Sequence, residues 1–350
     1  MTQHQDLDMV NILQQRQQLM QTARGFRAAK ILFTCIELKV FEAIASGLNT
    51  GEEIAAAIGA DGRGTELLLN AAVPLGWLEK KGGLFFNAPI VQTFLVPGGP
   101  AFLAETLKLE SAFYSRWEHL TKAVKTGKRP EENIRDEQPG DWVRLFEYAL
   151  YDMARPVAPF VAEALGLPED RDLSLLDVGG GHGGYSIAIA QRYPRLQATV
   201  FELPRVVPVA QEIIAKAGMS ERVFVQEGDF QRDDLGRGYD VLLFFGVLNG
   251  EPPEGRPALI QKAYAALKPG GRIILRDYVL EADRAGPPEA ALFALQVLLA
   301  TEAGGLNTRI EWTDWLTGAG FEPAKSIHLP DWVGTTLWVA EKPAAAIRPG

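Results

Sequence analysis

Cysteine is almost absent from this chain: its 350 residues contain one, Cys35. That excludes an internal disulfide and a thiolate metal centre, and the apolar helical setting of Cys35 makes it a small buried hydrophobe. Histidine is scarce too; the four (His4, His119, His182, His328) lie far apart with no ligand spacing, so no metal is expected. No apolar run reaches the roughly 18 residues that would suggest a membrane span. The polar start MTQHQDLD lacks the order of a signal peptide, and a cytoplasmic protein is expected. Cations are in deficit: 35 Lys and Arg against 44 Asp and Glu give a net charge of -9. That balance disfavours nucleic acid or an anionic membrane as the main partner. Internal repeats and low-complexity segments are also missing. What is present is 47% hydrophobic residues over a length that suits two domains.

Glycine, in contrast, is concentrated in one place. In LLDVGGGHGGYSIAIA (175–190), an apolar run with Leu173, Leu175, Leu176 and Val178 predicts a buried strand. It carries an acid, Asp177, then five glycines interrupted only by His182, and a small-residue helix over 186–192. Strand, glycine turn and helix form the first unit of a Rossmann-like sheet, where missing side chains let a ligand lie against backbone. A second strand (198–201) ends in Glu202-Leu203-Pro204, which places an acid where ribose hydroxyls would sit. A third (222–226) runs into Glu227-Gly228-Asp229-Phe230, an acid and a ring suited to hydrogen-bond and stack an adenine. The fourth, 239–245, is nearly all apolar, as a strand covered on both faces should be. A helix (257–267), the stop signal Lys268-Pro269-Gly270-Gly271 and a fifth strand (272–280) complete the pattern.

A nicotinamide binder is the rival. Gly179, Gly181 and Gly184 satisfy G-x-G-x-x-G, so that spacing alone does not discriminate. The acid within the strand, the G-D-F after the third and the K-P-G-G before the fifth do. In that order the chain resembles the class I S-adenosylmethionine (SAM) methyltransferases. DVGGGHGG, FELP, EGDF, LKPGG and the C-terminal stretch from Gly304 to Phe321 resemble, more narrowly, the plant-type and bacterial small-molecule O-methyltransferases, which include caffeate, hydroxyindole and polyketide enzymes. The resemblance implies an α/β Rossmann-like domain preceded by a mostly α winged-helix domain that pairs two chains into a homodimer. It implies SAM as cofactor, with S-adenosylhomocysteine as product and a small molecule as acceptor. Asp177, Gly179 and Gly181 would approach the methionine moiety, Glu202 and Leu203 the ribose, and Gly228, Asp229 and Phe230 the adenine.

The N-terminal third fits this picture. Residues up to about 22 form a polar helix able to lie across a partner, and 26–45 carry apolar residues at helical spacing. Thr50-Gly-Glu-Glu53 is a capping box opening a helix, 65–75 is another helix, and 76–87 reads as a two-stranded wing. A DNA reader would need cations on its groove helix, whereas TELLLNAAVPL has one acid and no Lys or Arg. Dimerisation is the better reading. The expected boundaries are 1–100 for the winged-helix domain, 101–165 for linking helices (103–125 and 145–165, with a surface loop at 126–140) and 166–345 for the SAM domain.

The family pattern breaks at the chemistry. There a histidine after the fourth strand takes the phenol proton, oriented by two acids. Here those positions fall on Asn249, Asp277 and Asn307. An amide accepts no proton at neutral pH, which leaves Asp277 as the ionisable candidate, provided burial raises its pKa. Three readings stay open: O-methylation carried by positioning or by an acidic acceptor, methylation of carbon or nitrogen, and a SAM-binding protein that no longer transfers methyl. By resemblance, Phe113, Leu150, Met153, Phe293 and Gln296 wall the acceptor site, an apolar set suited to an aromatic or lipophilic molecule.

Overall fold

A computed structural model describes residues 2–130 and 140–344 and separates the chain into two compact units, Met1–Ser111 and Ala112–Gly350. The first unit begins with α1 (Thr2–Arg24), α2 (Phe26–Glu37), α3 (Val40–Ala45), α4 (Gly51–Ile58) and α5 (Gly62–Ala72). A hairpin of β1 (Leu78–Lys81) and β2 (Leu84–Asn87) follows, then α6 (Pro89–Phe94) and α7 (Ala104–Trp117), which runs into the second unit. Ile36, Val40, Phe41, Ile54, Leu69, Leu78 and Phe85 close one small core, so helices and wing support each other. The capping box at Thr50 is formed, the Thr50 side chain accepting from the Glu53 amide and Glu53 from the Thr50 amide.

The second unit continues with α8 (Leu120–Thr126), α9 (Gly140–Ala154), α10 (Ala158–Ala164), β3 (Leu173–Val178), α11 (Gly184–Arg192), β4 (Leu196–Glu202), α12 (Val207–Lys216) and β5 (Val223–Glu227). Then come β6 (Tyr239–Phe245), a 3-10 turn (Leu248–Gly250), α13 (Arg256–Ala266), β7 (Leu267–Arg276), β8 (Val279–Leu280), α14 (Pro288–Ala300), β9 (Asn307–Thr308), α15 (Arg309–Ala319), β10 (Lys325–His328) and β11 (Thr336–Glu341). Seven strands form one sheet in the order β10-β11-β7-β6-β3-β4-β5. The five from β7 to β5 are parallel, and β10 and β11 are antiparallel. Alternate residues serve opposite faces: Leu175, Val241 and Ile274 pack into one core, Leu176, Leu242 and Leu275 into the other. Burial on both faces is why these strands read as continuous apolar runs. Chain direction across the sheet reverses between β3 and β6, and ligands of such sheets bind beyond the strand ends at that point.

Several sequence expectations need correction. The run 26–45 is two helices, because Lys39 turns left-handed (φ 58°) and redirects the chain. The helix expected over 145–165 breaks after Ala154, where Pro156 can neither donate a backbone hydrogen bond nor fit a continuing turn. The helix over 103–125 breaks between Trp117 and Leu120. Lys268-Pro269-Gly270-Gly271 lies inside β7 as a bulge, since Leu267 pairs Tyr239 and Arg272 already pairs Val241. The fifth strand stops at Arg276, and β8 leaves the main sheet to pair with β9. Most of the loop expected over 126–140, residues 131–139, lies outside the described residues.

Candidate active site

Asp177 is the penultimate residue of β3, buried beneath the glycine turn, and its Oδ2 accepts from Ser186 Oγ at 2.7 Å. Above it the backbone is left-handed at Gly179 (φ 63°) and Gly181 (φ 51°), a conformation side chains rarely tolerate. Space forbids them as well: a Cβ on Gly179 would come within 2.9 Å of Val247, and one on Gly181 within 2.5 Å of Glu147. Glu202, at the end of β4, turns back over this loop, accepting from the Gly181 amide at 3.2 Å and the Leu203 amide at 2.7 Å. Buried His182 accepts from the Gly184 amide on Nδ1 at 2.9 Å, and burial pushes its pKa down to about 4, so it is neutral. Glu147, which packs against Gly181, is a residue that the motif reading did not include.

The next loop carries Gly228, Asp229 and Phe230. Asp229 holds its own turn, with Oδ1 accepting from the Gln231 amide at 2.9 Å, and Phe230 is buried. From α13, Lys262 Nζ donates to the carbonyls of Phe230 (2.8 Å), Gln231 (3.1 Å) and Asp233 (3.0 Å), so one cation ties down the loop. Bare backbone, an acid at the second strand end and an acid-plus-ring at the third thus lie at the carboxyl ends of three neighbouring parallel strands. Their chemistry fits the methionine, ribose and adenine portions of SAM.

Beyond β6 lies the second half of the site. The 3-10 turn puts Asn249 against β7, and Asn249 Nδ2 donates to Asp277 Oδ1 at 3.0 Å. The Tyr278 amide donates to the same oxygen at 2.8 Å. Asp277 Oδ2 is buried and accepts no hydrogen bond from any described residue. Burial pushes this carboxyl up to about 7, against the lowering pull of the Tyr278 amide, Asn249, Arg276 and Arg256. Two of the three expected residues therefore meet. Asn307 does not join them directly; its Oδ1 accepts from Arg256 Nη1. Arg256 was missed by motif reading, although one signal was available: a cation in the first turn of a helix opposes the dipole there.

The five acceptor-wall residues divide. Phe293 lies tilted against Tyr278, ring centroids 4.7 Å apart, which brings α14 beside Asp277. One turn along, Gln296 Oε1 accepts from Trp117 Nε1 at 2.6 Å, and its buried Nε2 has no partner among the described residues. Phe113 lies under Arg116, whose guanidinium is 5.7 Å from its centroid, and Leu150 is half-buried on α9. Met153 is 49% exposed. No group of His, Cys, Asp and Glu able to hold a metal occurs among the described residues.

The buried acids make stability depend on pH. Asp177 is pushed up to about 7 by burial, with the charge of Glu202 adding and the Ser186 hydroxyl opposing. A carboxyl whose folded pKa lies above its unfolded value binds protons more readily when folded, so the fold loses stability as pH rises towards 7. His182, with its depressed value, works in the other direction but only below about 6.5. The ligand-free protein is therefore expected to melt several degrees lower at pH 8 than at pH 6.5. Asp177→Asn, which keeps an acceptor for Ser186, should raise the melting temperature at pH 8. Calorimetric melts across that range check both, and a mutant melting lower at pH 8 counts against the buried-charge account.

Comparison with known proteins identifies the family. A family model described as an O-methyltransferase domain matches residues 164–322, and one described as an O-methyltransferase dimerisation domain matches 20–97. The chain is 30% identical over 313 residues to 3-hydroxy-5-methyl-1-naphthoate 3-O-methyltransferase of Streptomyces sahachiroi, covering 87% of this chain and 89% of that one. It is 30% identical over 334 residues to L-tyrosine C(3)-methyltransferase of Streptomyces lavendulae, covering 91% and 90% respectively. The structure of human N-acetylserotonin methyltransferase in complex with SAM superposes with a TM-score of 0.83 at 28% identity, covering 95% of this chain and 98% of that one.

Proposed function

The chain belongs to the O-methyltransferase family, and from that premise we propose that it methylates a hydroxyl of a small aromatic acceptor, with Asp277 receiving the proton. As a SAM-dependent methyltransferase it draws on a cofactor that supplies, when bound, an electrophilic methyl on a sulfonium and leaves as S-adenosylhomocysteine. The observation that carries the proposal is the Asp277 carboxyl: one oxygen fixed by Asn249 and the Tyr278 amide, the other buried and unsatisfied, its pKa near neutrality. A base whose pKa lies near the working pH is best matched to proton abstraction. Asp277 Oδ2 would take the proton released by the acceptor hydroxyl, while Oδ1 stays held by Asn249 and the Tyr278 amide. Asn249 is the orienting amide and never carries the proton.

The rings of Phe293, Tyr278 and Trp117 favour a flat acceptor, and the unsatisfied Gln296 Nε2 supplies one donor to a carbonyl or phenolic oxygen on it. Phe113, Leu150 and Met153 complete the proposed wall. The test is transfer from methyl-labelled SAM to a panel of hydroxynaphthoates and hydroxyindoles, with the labelled atom located by NMR. Label on oxygen supports the reading. Label on carbon would move the chain to the chemistry named for the tyrosine C(3) relative. Cofactor binding with no transfer across the panel would favour a non-methylating SAM binder.

A homodimer is the expected assembly. The dimerisation-domain match covers α2 to α6, and α1 leaves Met9, Val10, Ile12, Leu13 and Leu19 exposed on a single helix. Apolar surface of that kind marks a protein interface. Light scattering should give twice 38.3 kDa; a clean monomer at micromolar concentration would sink the assignment.

A further inference from the structure

The cation at the start of α13 is the least explained group in the second unit. Arg256 is 2% exposed and is the first helical residue, preceded by Gly255 and followed by Pro257. A buried guanidinium at the positive end of a helix is costly unless several acceptors compensate it. Three do. Nε donates to the Glu251 carbonyl at 2.9 Å, Nη2 to the Gly305 carbonyl at 2.9 Å, and Nη1 to Asn307 Oδ1. These acceptors belong to two segments far apart in sequence: the exit of the 3-10 turn that bears Asn249, and the stretch leading into β9. The two segments also meet directly, because the Gly305 amide donates to the Asn249 carbonyl at 2.9 Å. Gly304 packs so tightly on that carbonyl that a Cβ there would overlap it. The Asn249 carbonyl is thus held by the Gly304–Gly305 segment, and its side-chain amide is aimed at Asp277.

We propose that Arg256 is the positioning residue of the reaction centre: it locks together the two segments that hold Asn249 against Asp277, and it acts on the carboxylate without touching the acceptor. This rests on the reading of Asp277 as proton acceptor. It also gives Asn307 a role, as the partner that directs one arm of the guanidinium. The other cation of α13, Lys262, serves the adenine-side loop, so one helix braces both halves of the site. Gln231 Nε2 donates to Glu251 Oε2 at 2.7 Å and joins the two braces.

Several charges bear on Asp277. Arg276 and Arg256 both favour its ionised form, Tyr278 follows it in the chain, and Glu281, Glu289 and Arg309 line the cavity it borders. Glu251, Glu311 and Arg284 act on Arg256 itself. Among these, Arg256 combines a charge acting on the carboxylate with hydrogen bonds to the segments around Asn249. Its removal takes away a cation, so the carboxyl moves further up and the base form requires a higher pH.

The experiment uses the full-length protein labelled with [4-13C]aspartate, in which the Asp277 resonance is identified by its loss in Asp277→Asn. In Arg256→Gln the Asp277 titration is expected to move up by about one pH unit. SAM affinity measured by calorimetry should stay close to that of the wild type. With 3-hydroxy-2-naphthoate as probe acceptor, kcat should fall by about 100-fold with KM little changed, and the acid limb of the profile should shift with the resonance. Arg256→Lys keeps the charge but not the three-way grip, so the limb should stay in place while kcat still falls. An Asp277 titration unmoved in Arg256→Gln overturns the proposal, as does wild-type kcat in Arg256→Lys. If Arg256→Gln does not fold, the lysine variant decides the matter. Were Asp277→Asn fully active, the proton-acceptor reading would fail by itself, and the titration shift would still report whether Arg256 governs the carboxylate.

Discussion

Asp277→Asn should lower kcat by about 10²- to 10⁴-fold, the range that a positioned general base contributes, with little change in SAM affinity. The substitution is close to isosteric. The asparagine carbonyl can still accept from Asn249 Nδ2 and the Tyr278 amide, which hold Asp277 Oδ1 at 3.0 and 2.8 Å, so the local structure should survive. What disappears is the capacity of the buried second oxygen to take a proton. The pH dependence has a definite sign. Burial holds the carboxyl up to about 7, and only its ionised form is a base, so wild-type turnover should fall below that value, by tenfold per pH unit in the limit. That limb should be absent from whatever activity the mutant retains. A profile flat from pH 5 to 8 in the wild type, or a mutant with wild-type kcat, would remove Asp277 from the chemistry and leave positioning alone to carry the rate.

Glu202→Ala should weaken SAM binding by about 10²- to 10⁴-fold, read by calorimetry. Two hydrogen bonds to a charged group are worth about 3 to 6 kcal/mol together, which converts to that range. Two features support this carboxylate rather than a neighbour as the proposed ribose acceptor. It ends β4 at the edge of the switch point, and its two oxygens are pre-oriented by the Gly181 and Leu203 amides. The same substitution removes a negative charge near Asp177, whose carboxyl should then titrate lower. Unchanged affinity in Glu202→Ala would mean that the ribose lies elsewhere and that the strand-end reading is wrong.

The family pattern and the structure meet most informatively where the pattern is broken. An amide in place of the expected imidazole leaves open, in isolation, whether oxygen, carbon or nitrogen is methylated or no methyl is transferred at all. In three dimensions it donates to a carboxyl whose pKa burial raises to about 7, which is what supports the proposed orienting role. Asn307 likewise reads as the third member of a depleted triad, whereas the fold gives it Arg256 as its partner.

Local sequence by itself determined most of the scaffold. The apolar runs of β3 and β6 are strands because both faces are buried, and the glycines after Asp177 are required by left-handed turns and close packing. Thr50 and Glu53 close a capping box within one helical turn. Each of these constraints acts over a few residues, which is why spacing and residue type reveal it. The approach of Asn249 to Asp277, 28 positions away, was expected only through the family resemblance, and tertiary structure alone decided the fan of Arg256 onto Glu251, Gly305 and Asn307. It also decided the left-handed break at Lys39 and the bulge that hides Lys268 to Gly271 inside a strand, whereas the break at Pro156 is a local effect of proline. Hydrogen bonds between distant segments, and pKa values set by burial, depend on which elements the sheet brings together, and no periodicity along the chain encodes that.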